Sequence, residues 1–273
     1  MINPKKSQEI LRSVMVASAV ISIAIAGISC NNGGSDSPSS TGGADAKMAA
    51  EKLTEAEPFY EGREDLTKAR TAVTILRQAY AADYGNYEAA WKLARAAFSV
   101  GDRTDIDSER DDMFVQGIQA GKGAVQLQPD KPEGHFWLGA NYGGRAAHST
   151  LSNLSSFQDI KGEMEAVLKI DESYQGYSAY LGLGRLYLQA PKVLGGDVKK
   201  AIEYMEKGVK LNPNNTVMRF HLAEAYEADK RNGDAKKQIE AINSLTPDPK
   251  YVAEHKVAVE KSKKLLEKIE AEG

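Results

Sequence analysis

The chain has 273 residues, 42% hydrophobic and 27% charged, with a formal net charge of −3. That is enough to bury a sizeable core, and glycine and proline do not dominate, so most of the chain is expected to fold. Residues 1–29 hold Lys5, Lys6, Arg12 and Glu9; beyond them 32 basic residues face 37 acidic, a net of −5, which argues against the basic face of a nucleic-acid binder.

The first element in chain order is a leader. Lys5, Lys6 and Arg12 precede an apolar run from Val14 to Ile28. The run is short for a membrane span, which needs roughly 20 apolar residues. A charged start, an apolar centre and small residues at the end read as a secretory signal over 1–29. Cys30 is the single cysteine, so no intramolecular disulfide, zinc cluster or CxxC pair can form. Gly27-Ile28-Ser29-Cys30 resembles the lipobox of bacterial lipoproteins, which implies a lipid on Cys30. Ile28 and Ser29 fit that pattern; the family usually has Leu, Val or Ile where Gly27 stands. An ordinary signal peptide, or an uncleaved anchor with an incidental thiol, is the other reading. NNGGSDSPSSTGGADA follows, so 30–46 reads as a flexible tether.

From there the chain repeats a skeleton five times: AVTILRQAYAADYGN from Ala72, GIQAGKGAVQLQPDK from Gly117, IKGEMEAVLKIDESY from Ile160, AIEYMEKGVKLNPNN from Ala201 and AKKQIEAINSLTPDP from Ala235. Four on from each start stand Leu76, Gly121, Met164, Met205 and Ile239. Seven on stand Ala79, Ala124, Val167, Gly208 and Ile242, and ten on Ala82, Leu127, Ile170, Leu211 and Leu245. These offsets predict one buried face of a helix. Pro129, Pro213 and Pro247 end three of the lines, as proline ends helices. A second pattern precedes the next line each time. Leu93-Ala94, Leu138-Gly139, Leu183-Gly184 and Leu222-Ala223 pair a leucine with a small residue, and in the last three a tyrosine stands three residues after the small one: Tyr142, Tyr187 and Tyr226.

Together these are marks of the tetratricopeptide (TPR) repeat, and the last unit, Pro213 to Pro247, has its 34-residue period. Each line is then the second helix of a hairpin that buries its apolar face only by stacking on neighbours. Earlier units start 45, 43 and 41 residues apart, with the extra length expected mainly between the two helices of a hairpin. The expectation is all-α: a TPR-like α-solenoid of about four to five hairpins over 47–249. Residues 250–273, rich in Lys and Glu, form a solubilising C-terminal capping helix.

Catalytic patterns are missing. GIQAGKG lacks the phosphate-loop spacing and sits in a helix, where its glycines serve close packing. His135, His148, His221 and His255 make no metal-binding pair, and no serine lies in GxSxG. In PKVLGGD, Pro191 should stop a helix, Gly195 and Gly196 should permit left-handed turns, and Asp197 should cap the next helix. The reading is non-enzymatic, with no cofactor and no metal.

The lipoprotein-like start, the TPR units with inserts and PKVLGGDVKKAIEYMEKGV resemble the TatT-like helical lipoproteins associated with TRAP (tripartite ATP-independent periplasmic) transporters. That resemblance implies a periplasmic, lipid-anchored protein that engages a solute-binding subunit. A similar layout occurs in eukaryotic microtubule-associated regulators, against which the leader and Cys30 argue. Aligning the leucine–small pairs places Trp91, Phe136, Leu181 and Phe220 at one position, and Arg95, Ala140, Arg185 and Glu224 four residues on. These, with Phe98, are the candidate groove residues; an apolar stripe of this kind equally suits core packing. A protein partner is expected, with the membrane reached through the lipid and no nucleic acid; a homo-oligomer is compatible with the pattern. The alternative is a carrier that holds a small apolar ligand in an enclosed cavity.

Overall fold

The computed structural model describes residues 41–148, 154–246 and 251–271. The signal, Cys30 and most of the expected tether lie outside these residues. Eleven α-helices and one 3₁₀ turn make up the described chain: α1 Thr41–Glu61, α2 Leu66–Ala82, α3 Tyr87–Gly101, α4 Asp107–Leu127, α5 Pro132–Ala147, α6 Leu154–Ile170, α7 Tyr174–Gln189, α8 Val198–Leu211, α9 Thr216–Ala228, α10 Asn232–Ser244 and α11 Val252–Ala271, with the 3₁₀ turn at Lys192–Leu194. Successive helices pair as five hairpins, and α11 packs on α9 and α10. The first helix of each hairpin also packs on the first helix of the next, whereas the second helices meet through longer side chains, as Arg70 of α2 and Glu109 of α4 do. The odd-numbered helices α1 to α9 therefore form the inner, concave layer, and α2 to α10 the outer one.

The five repeated lines are α2, α4, α6, α8 and α10. Their first three columns are buried: Ala72, Leu76 and Ala79; Gly117, Gly121 and Ala124; Ile160, Met164 and Val167; Ala201, Met205 and Gly208; Ala235, Ile239 and Ile242. Each large apolar side chain so buried contributes about 1.5–3 kcal/mol. The fourth column departs from expectation, since Leu127 and Leu211 are 38% exposed. Ten residues at 100° each land about 80° off the face set by the other columns, so the stripe ends there. The small residues of the inner helices admit a methionine from their own hairpin: a Cβ on Gly139 would meet Met164, and one on Gly184 would meet Met205. Side chains of Asp65, Asn86, Asp197 and Asn215 accept from backbone N–H groups and cap α2, α3, α8 and α9.

Three details differ from the sequence reading. Helix α1 begins at Thr41, inside the stretch expected as tether, and supplies the inner helix of a first hairpin that the repeat comparison left without one. Much of the extra length in the earlier units extends helices rather than loops, so α4 runs 21 residues where α10 runs 13. In PKVLGGD only Gly195 is left-handed, at φ 107°. Gly196 is required for close approach, because a Cβ there would fall 1.7 Å from the carbonyl oxygen of Ala190. The sequence singles out neither Gln175 nor Tyr177, yet both, with Gly176 between them, are left-handed in the first turn of α7. For the two residues with side chains that conformation costs about 1–2 kcal/mol each.

Candidate binding groove

The inner face starts with an arginine held between rings. The Arg95 guanidinium on α3 lies 3.6 Å from the ring centroid of Tyr60 on α1 and 4.9 Å from that of Trp91 one turn earlier. Its Nη2 is 3.9 Å from Glu57 Oε1, and its Nε and Nη2 are buried without a hydrogen-bond partner. Glu57 is shared with Lys92, whose Nζ donates to it at 3.0 Å. Burial raises the Tyr60 hydroxyl above its ordinary pKa, against the opposing pull of Arg95 and Arg63. Further along α3, Phe98 packs between Phe114 and Trp137, bridging α4 and α5.

The middle of the face is aromatic. Phe136 meets Trp137 and Tyr174 edge-on, at 5.0 Å and 5.4 Å. Burial pushes the Tyr174 hydroxyl up to about 12, against the opposing pull of the Gln175 and Trp137 side chains. Asn141, fully buried, donates through Nδ2 to the Ala94 carbonyl at 3.0 Å and the Trp137 carbonyl at 2.7 Å, tying α3 to α5.

The far end is closed by the chain itself. Phe220 is only 4% exposed because Ala258, Val259 and Leu265 of α11 cover it. Beside it, α7, α9 and α11 line an open cleft of about 500 Å³. Arg185 contributes a buried Nε with no partner. His221 Nδ1 pairs with Glu224 at 2.6 Å, and burial lowers the pKa of this histidine more than Glu224 raises it, so the ring stays neutral. Lys268 donates to Glu227 at 3.0 Å. Lys261 and Lys264 complete the α11 wall. The start of α11 reaches the first hairpin, where Arg63 lies 3.6 Å from Glu254.

Of the four aligned apolar positions, Trp91, Phe136 and Leu181 are half-buried on the inner layer, and Phe220 is buried under α11. Arg95 and Arg185 occupy equivalent positions two hairpins apart, with Ala140 between them and Glu224 beyond. Sequence comparison missed Tyr60, Trp137, Tyr174 and the α11 lysines. Tyr60 lies on the unrecognised α1. The lysines did carry a signal: Lys261, Lys264 and Lys268 recur at helical spacing on one face.

Both ring nitrogens of His135 are engaged, Nδ1 with Glu163 at 2.6 Å and Nε2 with the Pro129 carbonyl at 2.9 Å. Among the described residues no cluster of three or more His, Cys, Asp or Glu could hold a metal, and no helix is long and apolar enough to cross a membrane.

Hairpins stacked with an inner layer of first helices define a TPR-like solenoid, and solved TPR proteins share it. TTC0263, a thermophilic TPR protein of Thermus thermophilus, superposes with a TM-score of 0.57 at 18% identity, over 77% of this chain and 98% of that one. PilF of Pseudomonas aeruginosa gives 0.54 at 14% identity over 84% and 100%, and MamA of Desulfovibrio magneticus RS-1 gives 0.51 at 16% over 73% and 94%. At these identities the likeness is one of fold. The sequence profile of Regulator of microtubule dynamics protein 1-3 matches residues 53–270, and the chain belongs to that family. The leader and Cys30 argue for setting that group aside; the match over residues 53–270 corrects that placement. No individually curated protein matches the sequence.

Proposed function

We propose that this chain is a non-enzymatic scaffold whose inner face binds an extended segment of a partner protein, and that a lipid on Cys30 holds it at the periplasmic side of a bacterial membrane. The observation that carries the reading is the half-buried row on the inner layer, above all Arg95, whose guanidinium lies against the Tyr60 and Trp91 rings with no hydrogen-bond acceptor for Nε or Nη2. Stacked hairpins suit recognition of extended partners, and Trp and Arg dominate binding hot spots. The carrier reading requires an enclosed apolar cavity; the cleft at the far end is walled mainly by charged side chains, which favours the scaffold. Membership of a family named for regulators of microtubule dynamics is compatible with protein binding and does not select the partner. The resemblance to TatT-like lipoproteins makes a TRAP solute-binding subunit the favoured candidate.

The test is titration of the purified full chain, in detergent, against periplasmic solute-binding proteins of the same source. Trp91→Ala should weaken binding by about 2 kcal/mol, roughly thirtyfold, while Lys236→Ala on α10 leaves it unchanged. If no solute-binding protein associates, the TRAP assignment fails. If one associates and Trp91→Ala behaves as the control, the partner sits elsewhere. The anchor is checked separately: Cys30→Ala should release the protein from the membrane fraction, because stable anchoring needs acyl chains at about 0.8 kcal/mol per buried methylene.

A further inference from the structure

The geometry points to a ligand class for the cleft between α7, α9 and α11: we propose that it takes an acidic peptide segment, whose carboxylates pair with Arg185, Lys261 and Lys264. This rests on the inner face being a protein-binding surface, and it adds which end of that face reads charge.

Four cations and two carboxylates line the cleft, in a chain whose net charge is −3. Lys268 is bonded to Glu227, and Glu224 is bonded to a histidine that burial keeps neutral. Arg185, Lys261 and Lys264 are left with no ion pair among the described residues. Lys261 lies 5.9 Å from the Phe220 ring centroid, a contact that holds its ammonium over the cleft floor without neutralising it. The Nε of Arg185 is buried and has no acceptor among the described residues, so nothing there neutralises this guanidinium, and a carboxylate suits the planar fork of an arginine. Arg185 projects from the inner layer while the lysines project from α11, so an acidic segment lying between them is gripped from two sides.

The lining also separates peptide from lipid. Of the residues around the cleft only Phe220 and Leu265 are apolar, so no channel receives an acyl chain. Glu224 and Glu227 can accept from the backbone N–H groups that a peptide brings beside its carboxylates, donors that a phosphomonoester headgroup lacks.

The experiment uses the full chain in detergent and a fluorescein-labelled hexaglutamate peptide, with hexaglutamine as the uncharged probe, read by fluorescence anisotropy. Hexaglutamate should bind, with affinity falling as salt rises, and hexaglutamine should not. Arg185→Gln and Lys264→Gln should each weaken hexaglutamate by about tenfold or more, and Lys199→Gln, on the exposed side of α8, should leave it unchanged. Lys264 is exposed, so that variant folds even if Arg185→Gln does not. Equal loss in Lys199→Gln, or no binding of hexaglutamate, overturns the proposal. A second arm sediments the protein with phosphatidylcholine vesicles carrying phosphatidic acid. If capture depends on Arg185 and Lys264 while hexaglutamate stays unbound, the ligand is a lipid phosphate and the peptide assignment falls. Failure here with Trp91-dependent binding of a partner intact sinks the cleft alone and leaves the groove reading standing.

Discussion

Arg95 and Arg185 stand at the same position of the repeat, two hairpins apart, and differ in everything around them. Arg95 is stacked between Tyr60 and Trp91, with Glu57 near one edge. Arg185 opens into a charged cleft and shares it with the lysines of α11. The repeat delivers an arginine to the inner layer in both places. What the arginine does there is decided by the helix that comes from outside the alignment, α1 in one case and α11 in the other. A solenoid of near-equal units thus gains distinct binding regions from its two irregular ends.

The largest way to break this comparison is to disturb the floor of one region only. A Cβ at Gly117 on α4 would fall 2.0 Å from Asn141 Oδ1, so Gly117→Val must displace Asn141 and its bonds to the Ala94 and Trp137 carbonyls. The expected cost is about 3 kcal/mol or more, from overpacking plus lost buried hydrogen bonds. Hydrogen exchange should show α3 to α5 losing protection while α9 to α11 keep theirs; uniform loss would mean that the two regions are one cooperative unit. Next in size, Arg95→Ala removes a desolvated stack and should cost about 1–2 kcal/mol, seen as a fall in Tm of roughly 2–8 °C. Arg185→Ala should stay within about 0.5 kcal/mol of the parent, since none of the described residues forms an ion pair with it. Equal losses would erase the distinction drawn between the two arginines.

Acidity probes the first region again. Arg70 Nε and Nη2 each donate to Glu109 at 2.7 Å, clamping α2 to α4, and with the Thr104 hydroxyl they lower the Glu109 carboxyl to about 2. A depressed carboxylate contributes stability that is complete above its unfolded pKa of 4.5 and is lost as pH falls toward about 2. Glu109→Gln should therefore flatten the fall in stability between those two pH values, measured by urea unfolding, and should lower stability at neutral pH. Smallest of all is the link between the regions. Arg63 and Glu254 join the first hairpin to α11 across 3.6 Å with both side chains partly exposed. Glu254→Gln should shift stability by less than about 0.5 kcal/mol; a larger shift would make α11 a structural strut for the first hairpin.

Much of this was legible in the chain. Columns such as Ile160, Met164 and Val167 name the buried face of an outer helix because three apolar residues at helical spacing admit one reading. The leucine–small pairs located the inner helices for a similar reason. Helix α1 escaped notice because Pro58 lies inside it, and proline is the residue that sequence reading takes for a helix stop. The groove was only half legible. Periodicity put Trp91 and Phe220 at one position, but it holds no information on what approaches from a distant part of the sequence. Trp91 stays half-buried beside Arg95, whereas Phe220 is covered by α11, and only the packed structure separates them. The left-handed turn at Gln175 and Tyr177 left no trace in the sequence, since neither residue favours that conformation.

The placement of α11 also sets a clock. Apart from α11, each hairpin in the solenoid packs against its neighbours in sequence, so each can settle as soon as its second helix is made. A nascent chain grows at about 5–20 residues per second, and Ala271 follows Ser244 by 27 positions, so α11 is completed roughly 1–5 s after α10. Throughout that interval Phe220 and Ile242, which Ala258 later covers, face water on an otherwise finished surface. Every copy of the protein thus passes through a short period with an uncovered apolar strip, the condition under which newly made chains stick to one another.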